Sequence, residues 1–414
     1  MHPMPNRSGD RKKPPDSPLP PVEAVQFERQ DQIGELVAAV RREGRFAFDT
    51  EFVMEDRYEP EVCLIQIASE EIVALIDPFR ELDLTPIWEL VSDPVVEVVV
   101  HAGQEDLALC VQHTGKLPTT IFDVQVAAGL VGTDFPLSLQ KLVQRFLHIR
   151  LHKSKTLTDW RRRPLTVSQL QYAAEDVCYL LAIRTKLIAD LQRRKRMDWA
   201  DEEFAVFEQE SLYGHVEEEK LRRVKGTASM DGRQLATVRA LLHWREKVAS
   251  TLNRPPRVLL KDHLLVEIAR HAIHSYGEIR ELRGINLSDK NIRKLCAVVE
   301  EALALPKEQL PQPAFRDKQL VEEDVLIPLL TAVLKSYCQE NRLAYSLVAT
   351  KKSIRELIVH HLDGSPDLLE EKQTPALLSG WREETVGRIA SDVLSGKRSI
   401  RVDHGRIVDS KSVR

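Results

Sequence analysis

The runs that read as strands in this 414-residue chain all lie before residue 101, which confines any sheet to an N-terminal domain. Gly44 punctuates before Arg45-Phe46-Ala47-Phe48-Asp49, an apolar run that suits a buried strand. Val62 to Ala68 (VCLIQIA) and Ile72 to Ile76 follow as two more strands, with Ser69-Glu70-Glu71 as a hairpin-like connection. Val95 to Val100 (VVEVVV) is β-branched almost throughout and predicts a fourth. Leu84 to Val91, Asp106 to His113, Val124 to Val131, Leu137 to Phe146 and Ser168 to Leu191 carry the helical period instead. Strands first, then helices interleaved with a further strand, imply an α/β domain with a mixed sheet covered by helices.

The rest of the chain has a different grammar. Residues 192–230 turn heavily charged, with Arg193-Arg194-Lys195-Arg196 and Glu217-Glu218-Glu219, and predict a linker between domains. Two all-α segments are expected beyond it, 231–306 and 318–396, separated by the proline-punctuated stretch Pro306 to Pro313. They echo one another. Asn253-Arg254 and Leu282-Arg283-Gly284-Ile285 are answered in order by Asn341-Arg342 and Leu378-Ser379-Gly380-Trp381, with extra residues near Asp363 to Thr374. Two copies of one helical module, or a chance likeness of amphipathic helices, would give this pattern. Residues 1–21 are polar, basic and proline-rich, lack the apolar core of a secretory signal, and predict a disordered lead-in; 397–414 predict a frayed tail.

Composition narrows the function classes. No apolar run approaches the roughly 18 residues of a membrane span, so no membrane partner is expected. Five scattered cysteines without a CxxC pair predict buried free thiols in a reducing, cytoplasmic setting and argue against structural zinc. A net charge of −4 speaks against nucleic acid only if charge is evenly spread, and it is not. Arg145, Arg150, Lys153, Lys155, Arg161, Arg162 and Arg163 face only Asp159 in their stretch, a strip that could track a phosphate backbone or simply be a solvated loop.

Three carboxylate motifs carry the chemistry. Asp49-Thr50-Glu51 closes a strand, where residues two apart point to one face, so two like charges project together. Their repulsion costs stability unless a cation lies between them, although the pattern alone is also that of an ordinary solvated strand end. His101-Ala102-Gly103-Gln104-Glu105-Asp106 follows the VVEVVV strand, and the small Ala102-Gly103 pair permits a tight turn that puts Asp106 in the first turn of a helix. There a carboxylate also suits the helix dipole. Tyr172-Ala173-Ala174-Glu175-Asp176 lies within a helix, stacking Tyr172 over Asp176 among apolar neighbours. Oxygen-only ligands of this kind suit hard cations, two of which can stabilise the attacking and leaving oxygens of a phosphodiester. Asp123 before a helical run reads as an N-cap, His101 as a structural histidine, and Gln66 as a polar intruder in an apolar strand that could line the site.

The three motifs, FDTEF, HAGQEDL and YAAEDV, resemble in order and spacing the exonuclease motifs of the DEDD superfamily. Tyrosine four residues before the last aspartate resembles the DEDDy branch. The neighbouring Cys63-Leu64-Ile65-Gln66-Ile67, Phe122-Asp123-Val124-Gln125 and Asp159-Trp160 with Arg163-Pro164-Leu165 are similar to ribonuclease D. The resemblance implies an RNase H-like exonuclease domain over 22–191. It implies Asp49, Glu51, Asp106 and Asp176 binding two Mg²⁺ or Mn²⁺ ions, and Tyr172 orienting or helping to deprotonate the attacking water, a phenol pKa near 10 favouring the positioning role. It further implies 3′→5′ hydrolysis of RNA to nucleoside 5′-monophosphates, at the 3′ ends of tRNA precursors and structured RNAs, with no small-molecule cofactor. Residues 233–305 resemble the HRDC nucleic-acid-binding module through Trp244-Arg245, Pro255-Pro256-Arg257 and Leu282-Arg283-Gly284-Ile285, and the second helical segment sits where ribonuclease D carries a second copy. Expected nucleic-acid contacts are Phe52 and Trp160 by stacking, and Lys153, Lys155, Arg161, Arg162, Arg254, Arg257 and Lys261 at phosphates. A monomer is expected. A DNA exonuclease of the same superfamily and a silent nucleic-acid-binding scaffold are the competing readings; no G-x-x-x-x-G-K-[ST] loop is present to supply a helicase motor.

Overall fold

Apolar side chains on both faces of a strand require cover on both sides, and Val62 to Ala68 of the central strand are buried without a break. The computed structural model describes residues 23–151, 158–214, 220–221, 223–311, 323–363, 374–403 and 406–411. The expected lead-in at 1–21 and the candidate contacts Lys153 and Lys155 lie outside these.

Six strands form one sheet: β1 (Ala24–Phe27), β2 (Arg45–Val53), β3 (Glu61–Ala68), β4 (Val73–Ile76), β5 (Glu97–Val100) and β6 (Ile121–Asp123), in the order β1-β4-β3-β2-β5-β6. β2, β3 and β4 form an antiparallel meander. β5 runs parallel to β2, β6 to β5, and β1 to β4. Eight helices accompany it: α1 (Gln30–Glu43), α2 (Thr85–Val91), α3 (Gln104–Thr114), α4 (Val124–Val131), α5 (Leu139–Leu147), α6 (Val167–Cys178), α7 (Leu180–Arg194) and α8 (Met197–Phe204). Gly44, at φ 71°, ends α1 in the left-handed conformation and feeds β2 directly. The helix expected over 168–191 divides at Tyr179, which closes α6 and opens α7. The two halves serve different partners: α6 lies on β2, β3 and β4, whereas α7 packs on α4 and α5.

Two expected boundaries move. The charged stretch from 192 is not all linker, because α8 and the turns to Tyr213 join the sheet domain's core through Ala200, Phe204 and Phe207. Asp198 and Asp201 lie on the outer face of α8, whereas Glu202 and Glu203 bond Trp381 and Arg382 of the second helical unit, a pattern that raw charge density conceals. The tail is not frayed either: Arg398–Asp403 and Arg406–Lys411 pair as an antiparallel ribbon beside the last helices. Period-two alternation in Ser399-Ile400-Arg401-Val402-Asp403 is the signal for it.

The first helical unit, from Gly232–Leu252 to Asp289–Leu303, has its own core around Leu241, Leu265, Ile268, Ile279 and Val299. The second does not. Leu330, Leu334, Ile354, Leu357 and Trp381 are continuous with the core of the sheet domain. Trp381 stacks on Trp199 of α8 with centroids 4.5 Å apart, and Arg382 donates to Glu203 at 2.6 Å. Arg196, 7% exposed, donates to the carbonyls of Leu130 at 2.6 Å, Asn341 at 2.8 Å and Arg342 at 3.4 Å. One buried guanidinium thus ties the end of α4 to the end of helix Glu323–Asn341. Replacing it with methionine leaves those carbonyls without a donor, so Arg196→Met should lower stability by about 3 kcal/mol in denaturant unfolding. An unchanged midpoint would show that Arg196 contributes nothing to the docking of the second helical unit.

Candidate active site

Parallel pairing of β2 with β5 settles where the acids go. Arg45, Phe46 and Ala47 lie opposite Glu97, Val98 and Val99, so both strands deliver their carboxyl ends to one edge of the sheet. β2 continues past β5 with Asp49, Thr50 and Glu51, while β5 passes through His101, Ala102 (φ 56°) and Gly103 into α3. A Cβ on Gly103 would stand 2.5 Å from that of Val100, so only glycine allows this turn. Asp106 follows in the first turn of α3, buried, and accepts a hydrogen bond from the Thr50 hydroxyl. Asp123 caps α4 by accepting from the backbone of Gln125 at 2.7 Å and Val126 at 3.3 Å, and also from Gly103 at 3.3 Å. It therefore braces the turn rather than joining the acids. His101 Nε2 lies 2.8 Å from the Leu137 carbonyl, in the structural role its position suggested.

The third motif comes from above the sheet. α6 starts with a capping box between Thr166 and Gln169 and presents Tyr172 and Asp176 to the edge that β2 supplies. Among the described residues, Asp49, Glu51 and Asp176 bring carboxylate oxygens within 4.8 Å of one another. Asp106 stands beside this group, and its charge acts on both Asp49 and Glu51. Glu175 turns away and accepts from Gln171 at 2.8 Å.

Such crowding is visible in the acidities. Burial, and then the charges of Asp106, Asp176 and Glu51, hold Asp49 well above the usual carboxylate range. Burial and the charges of Asp176 and Asp106 push Glu51 up to about 8. Burial likewise raises Asp176 to about 7 and Asp106 to about 6, with the Tyr172 and Thr50 hydroxyls pulling the other way. Tyr172 is held well above the ordinary phenol value by burial and by Asp176, Glu51 and Asp49, so it stays protonated at neutral pH. The donor set is all carboxylate oxygen, closely spaced and poorly solvated, which fits hard divalent cations.

The expected nucleic-acid contacts divide. Trp160 is 9% exposed and packs in a small cluster with Leu64, Ala173 and Tyr172, its ring centroid 6.1 Å from that of Tyr172. It supports the tyrosine and is not a free stacking surface. Arg161 is partly exposed and donates to Asp56 at 2.5 Å and Glu61 at 2.6 Å. Phe52 follows a β-bulge and is half-buried against the core. Arg162, Arg254, Arg257 and Lys261 are exposed, Arg257 pairing with Asp262 at 3.2 Å. Sequence reasoning missed the contact that carries the helical unit to the site. Asn253 Oδ1 accepts from the backbone of Tyr58 at 3.0 Å and Glu59 at 3.1 Å, in the loop after β2, and the Tyr58 hydroxyl donates to Glu246 at 3.1 Å. The left-handed cap at Asn253 (φ 45°) was its only local signal.

Stability should depend on pH in a defined direction. The folded values of Glu51, Asp106 and Asp176, about 8, 6 and 7, all exceed their ordinary values of 4.5, 3.8 and 3.8. The folded chain then binds protons that the unfolded chain has released, so stability falls as pH rises through that interval. In EDTA the thermal midpoint should be higher near about pH 5 than near about pH 8, Mn²⁺ should restore it at the upper value, and Asp49→Asn should flatten the slope. A midpoint in EDTA that climbs with pH over this range would contradict the crowding.

Residues 24–192 match the 3′-5′ exonuclease family and residues 234–299 the HRDC domain. Ribonuclease D of Bartonella henselae is 32% identical over 378 residues, 90% of this chain and 90% of its own length. Ribonuclease D of Escherichia coli is 30% identical over 368 residues, 88% of this chain and 96% of its own. The crystal structure of Escherichia coli RNase D, an exoribonuclease involved in structured RNA processing, matches with a TM-score of 0.78 at 29% identity, covering 91% of this chain and 99% of that one. The sheet and its helices have the RNase H-like exonuclease fold, followed by helical HRDC architecture. Exonucleases of this family use divalent metals. Among the described residues no helix is long and apolar enough to cross a membrane. The chain belongs to the ribonuclease D family and is a 3′→5′ exoribonuclease.

Proposed function

We propose that Asp49, Glu51, Asp106 and Asp176 hold two divalent cations, Mg²⁺ or Mn²⁺, and that the enzyme trims the 3′ ends of tRNA precursors and other structured RNAs to release nucleoside 5′-monophosphates. The observation that carries this reading is the convergence of Asp49, Glu51 and Asp176 within 4.8 Å, with Asp106 alongside. Bound there, the cations would activate water and offset charge on the attacking and leaving oxygens. The carboxylates' part is to fix the ions at the sheet edge. Tyr172, kept protonated and supported by Trp160, serves as a donor that orients water and the scissile phosphate rather than as a base. The structured-RNA substrate rests on what is said of the Escherichia coli enzyme. The second helical unit is best read as a divergent HRDC-like module. Both units run from a long helix with a left-handed residue at its end (Asn253, Arg342), through a single turn (Pro256–Leu259, Tyr345–Val348), into a further helix (Asp262–His271, Lys351–Asp363). Five free cysteines accord with a reducing, cytoplasmic setting, and a single chain carries the whole candidate site, as a monomer requires.

Digestion of a 3′-extended tRNA precursor and of matched single-stranded DNA, in Mg²⁺ or EDTA, tests the reading. Wild type should release 5′-mononucleotides from RNA only with metal, and Asp49→Asn should abolish this. Tyr172→Phe should reduce turnover by about 100-fold or more while Mn²⁺ binding is retained. Preference for DNA would replace the substrate, and binding without hydrolysis would leave only a scaffold. Near-normal turnover in Tyr172→Phe would remove the tyrosine from the mechanism.

A further inference from the structure

Gln66 is fully buried in the centre of β3, and neither its amide nitrogen nor its amide oxygen has a hydrogen-bond partner. Its neighbours on β3 are apolar, and a leucine or methionine there would avoid the free-energy cost of an orphaned buried amide. Its position accounts for it. Gln66 lies directly opposite Asp49 in the antiparallel pairing of β2 with β3, and opposite Leu75 on β4. Directly opposed side chains share one face of a sheet, with Cβ atoms roughly 5 Å apart, within reach of a glutamine amide. Leu64, two residues earlier on the same face, lies opposite Glu51 and packs in the cluster that holds Tyr172 and Ala173 of α6. The Gln66 amide is therefore enclosed beneath α6 on the face that carries the acids.

We propose that Gln66 is a positioning residue whose side-chain N–H, unpartnered in the metal-free chain, turns to donate to the Asp49 carboxylate when a cation is bound and holds it in its ion-binding orientation, an inference that rests on the metal-binding role of Asp49 proposed above. Asp106 already receives the Thr50 hydroxyl, and Asp176 interacts with the Tyr172 hydroxyl. Gln66 gives Asp49 a donor of the same kind. All three are neutral, and neutrality matters: a lysine or arginine would compete with the cation, whereas an amide fixes the carboxylate's orientation and leaves its charge for the ion. Hydrogen-bonded carboxylates of this kind are the usual outer support of a metal site.

Isothermal calorimetry with Mn²⁺ on the full-length protein, alongside thermal unfolding in EDTA and steady-state kinetics on RNA, tests the role with Gln66→Leu. The variant should match or exceed the wild-type thermal midpoint in EDTA, because an unpartnered amide has gone. It should bind Mn²⁺ about 10-fold more weakly and lose kcat with little change in KM. In an Asp49→Asn background the same change should have no further effect on Mn²⁺ affinity. Wild-type Mn²⁺ affinity in folded Gln66→Leu overturns the proposal, as does an equal loss with or without Asp49. Gln66→Met, closer in length, repeats the measurement if the leucine variant does not fold. Failure of the wild type itself to bind Mn²⁺ would instead overturn the metal reading beneath it.

Discussion

Mutual repulsion among Asp49, Glu51, Asp106 and Asp176 is the constraint around which this enzyme is built. Left to themselves, four carboxylates with so little water would separate or take up protons, and all four values are raised, first by burial and then, for Asp49, Glu51 and Asp176, by neighbouring acids of the group. What prevents separation is backbone hydrogen bonding. β2 and β5 are locked side by side in the middle of a six-stranded sheet, so the ends that carry Asp49, Glu51 and the turn toward Asp106 cannot drift apart. Asp176 is fixed by a helix that lies across three strands. The repulsion is thus held as fixed geometry, and a divalent cation relieves it in proportion to its charge.

Much of the surrounding structure keeps that geometry rigid. Gly103 removes the side chain that would open the turn into α3, and Asp123 clamps the same turn from α4. Arg163 donates to Asp77 and to the Cys63 carbonyl, tying the segment before α6 to the sheet beneath it. Trp160 fills the space beside Tyr172. Basic residues that look from sequence like a phosphate track are in part internal struts: Arg161 and Arg163 are each satisfied by carboxylates of the same domain. Only Arg162 of that triplet is left facing solvent.

The same distinction explains what could be read in advance. Strands β2 to β5 were legible because burial on both faces writes long apolar runs, and the three acid motifs because their order and spacing are specific. β1 and β6 were not: Ala24–Phe27 alternates weakly at a sheet edge and Ile121–Asp123 is only three residues long, so each is a strand by virtue of its neighbour. The division at Tyr179 was hidden because both halves keep helical periodicity across it. Residues 197–213 look exposed on charge density alone, but Ala200, Phe204 and Phe207, spaced among the charges, are buried. Gln66 lay inside a legible strand, but only cross-strand register tells that it faces Asp49, while the partner of Thr50, Asp106, is set by the turn that brings α3 beside β2.

Register also bears on how an acidic chain can handle nucleic acid. The net charge of −4 averages over regions that behave oppositely. On the proposed reading the carboxylates at the sheet edge hold cations, and with those bound they would no longer repel a phosphate backbone. Asn253, by accepting from Tyr58 and Glu59, seats the first helical unit against the loop that follows the strand carrying Asp49 and Glu51. The exposed Arg254, Arg257 and Lys261 come directly after that contact in sequence. A backbone held by them would take its attraction from the helical unit, with the chemistry supplied by the sheet domain. On the proposed reading affinity and catalysis would be separable, since Arg254, Arg257 and Lys261 belong to a unit with a different core from that of the acids.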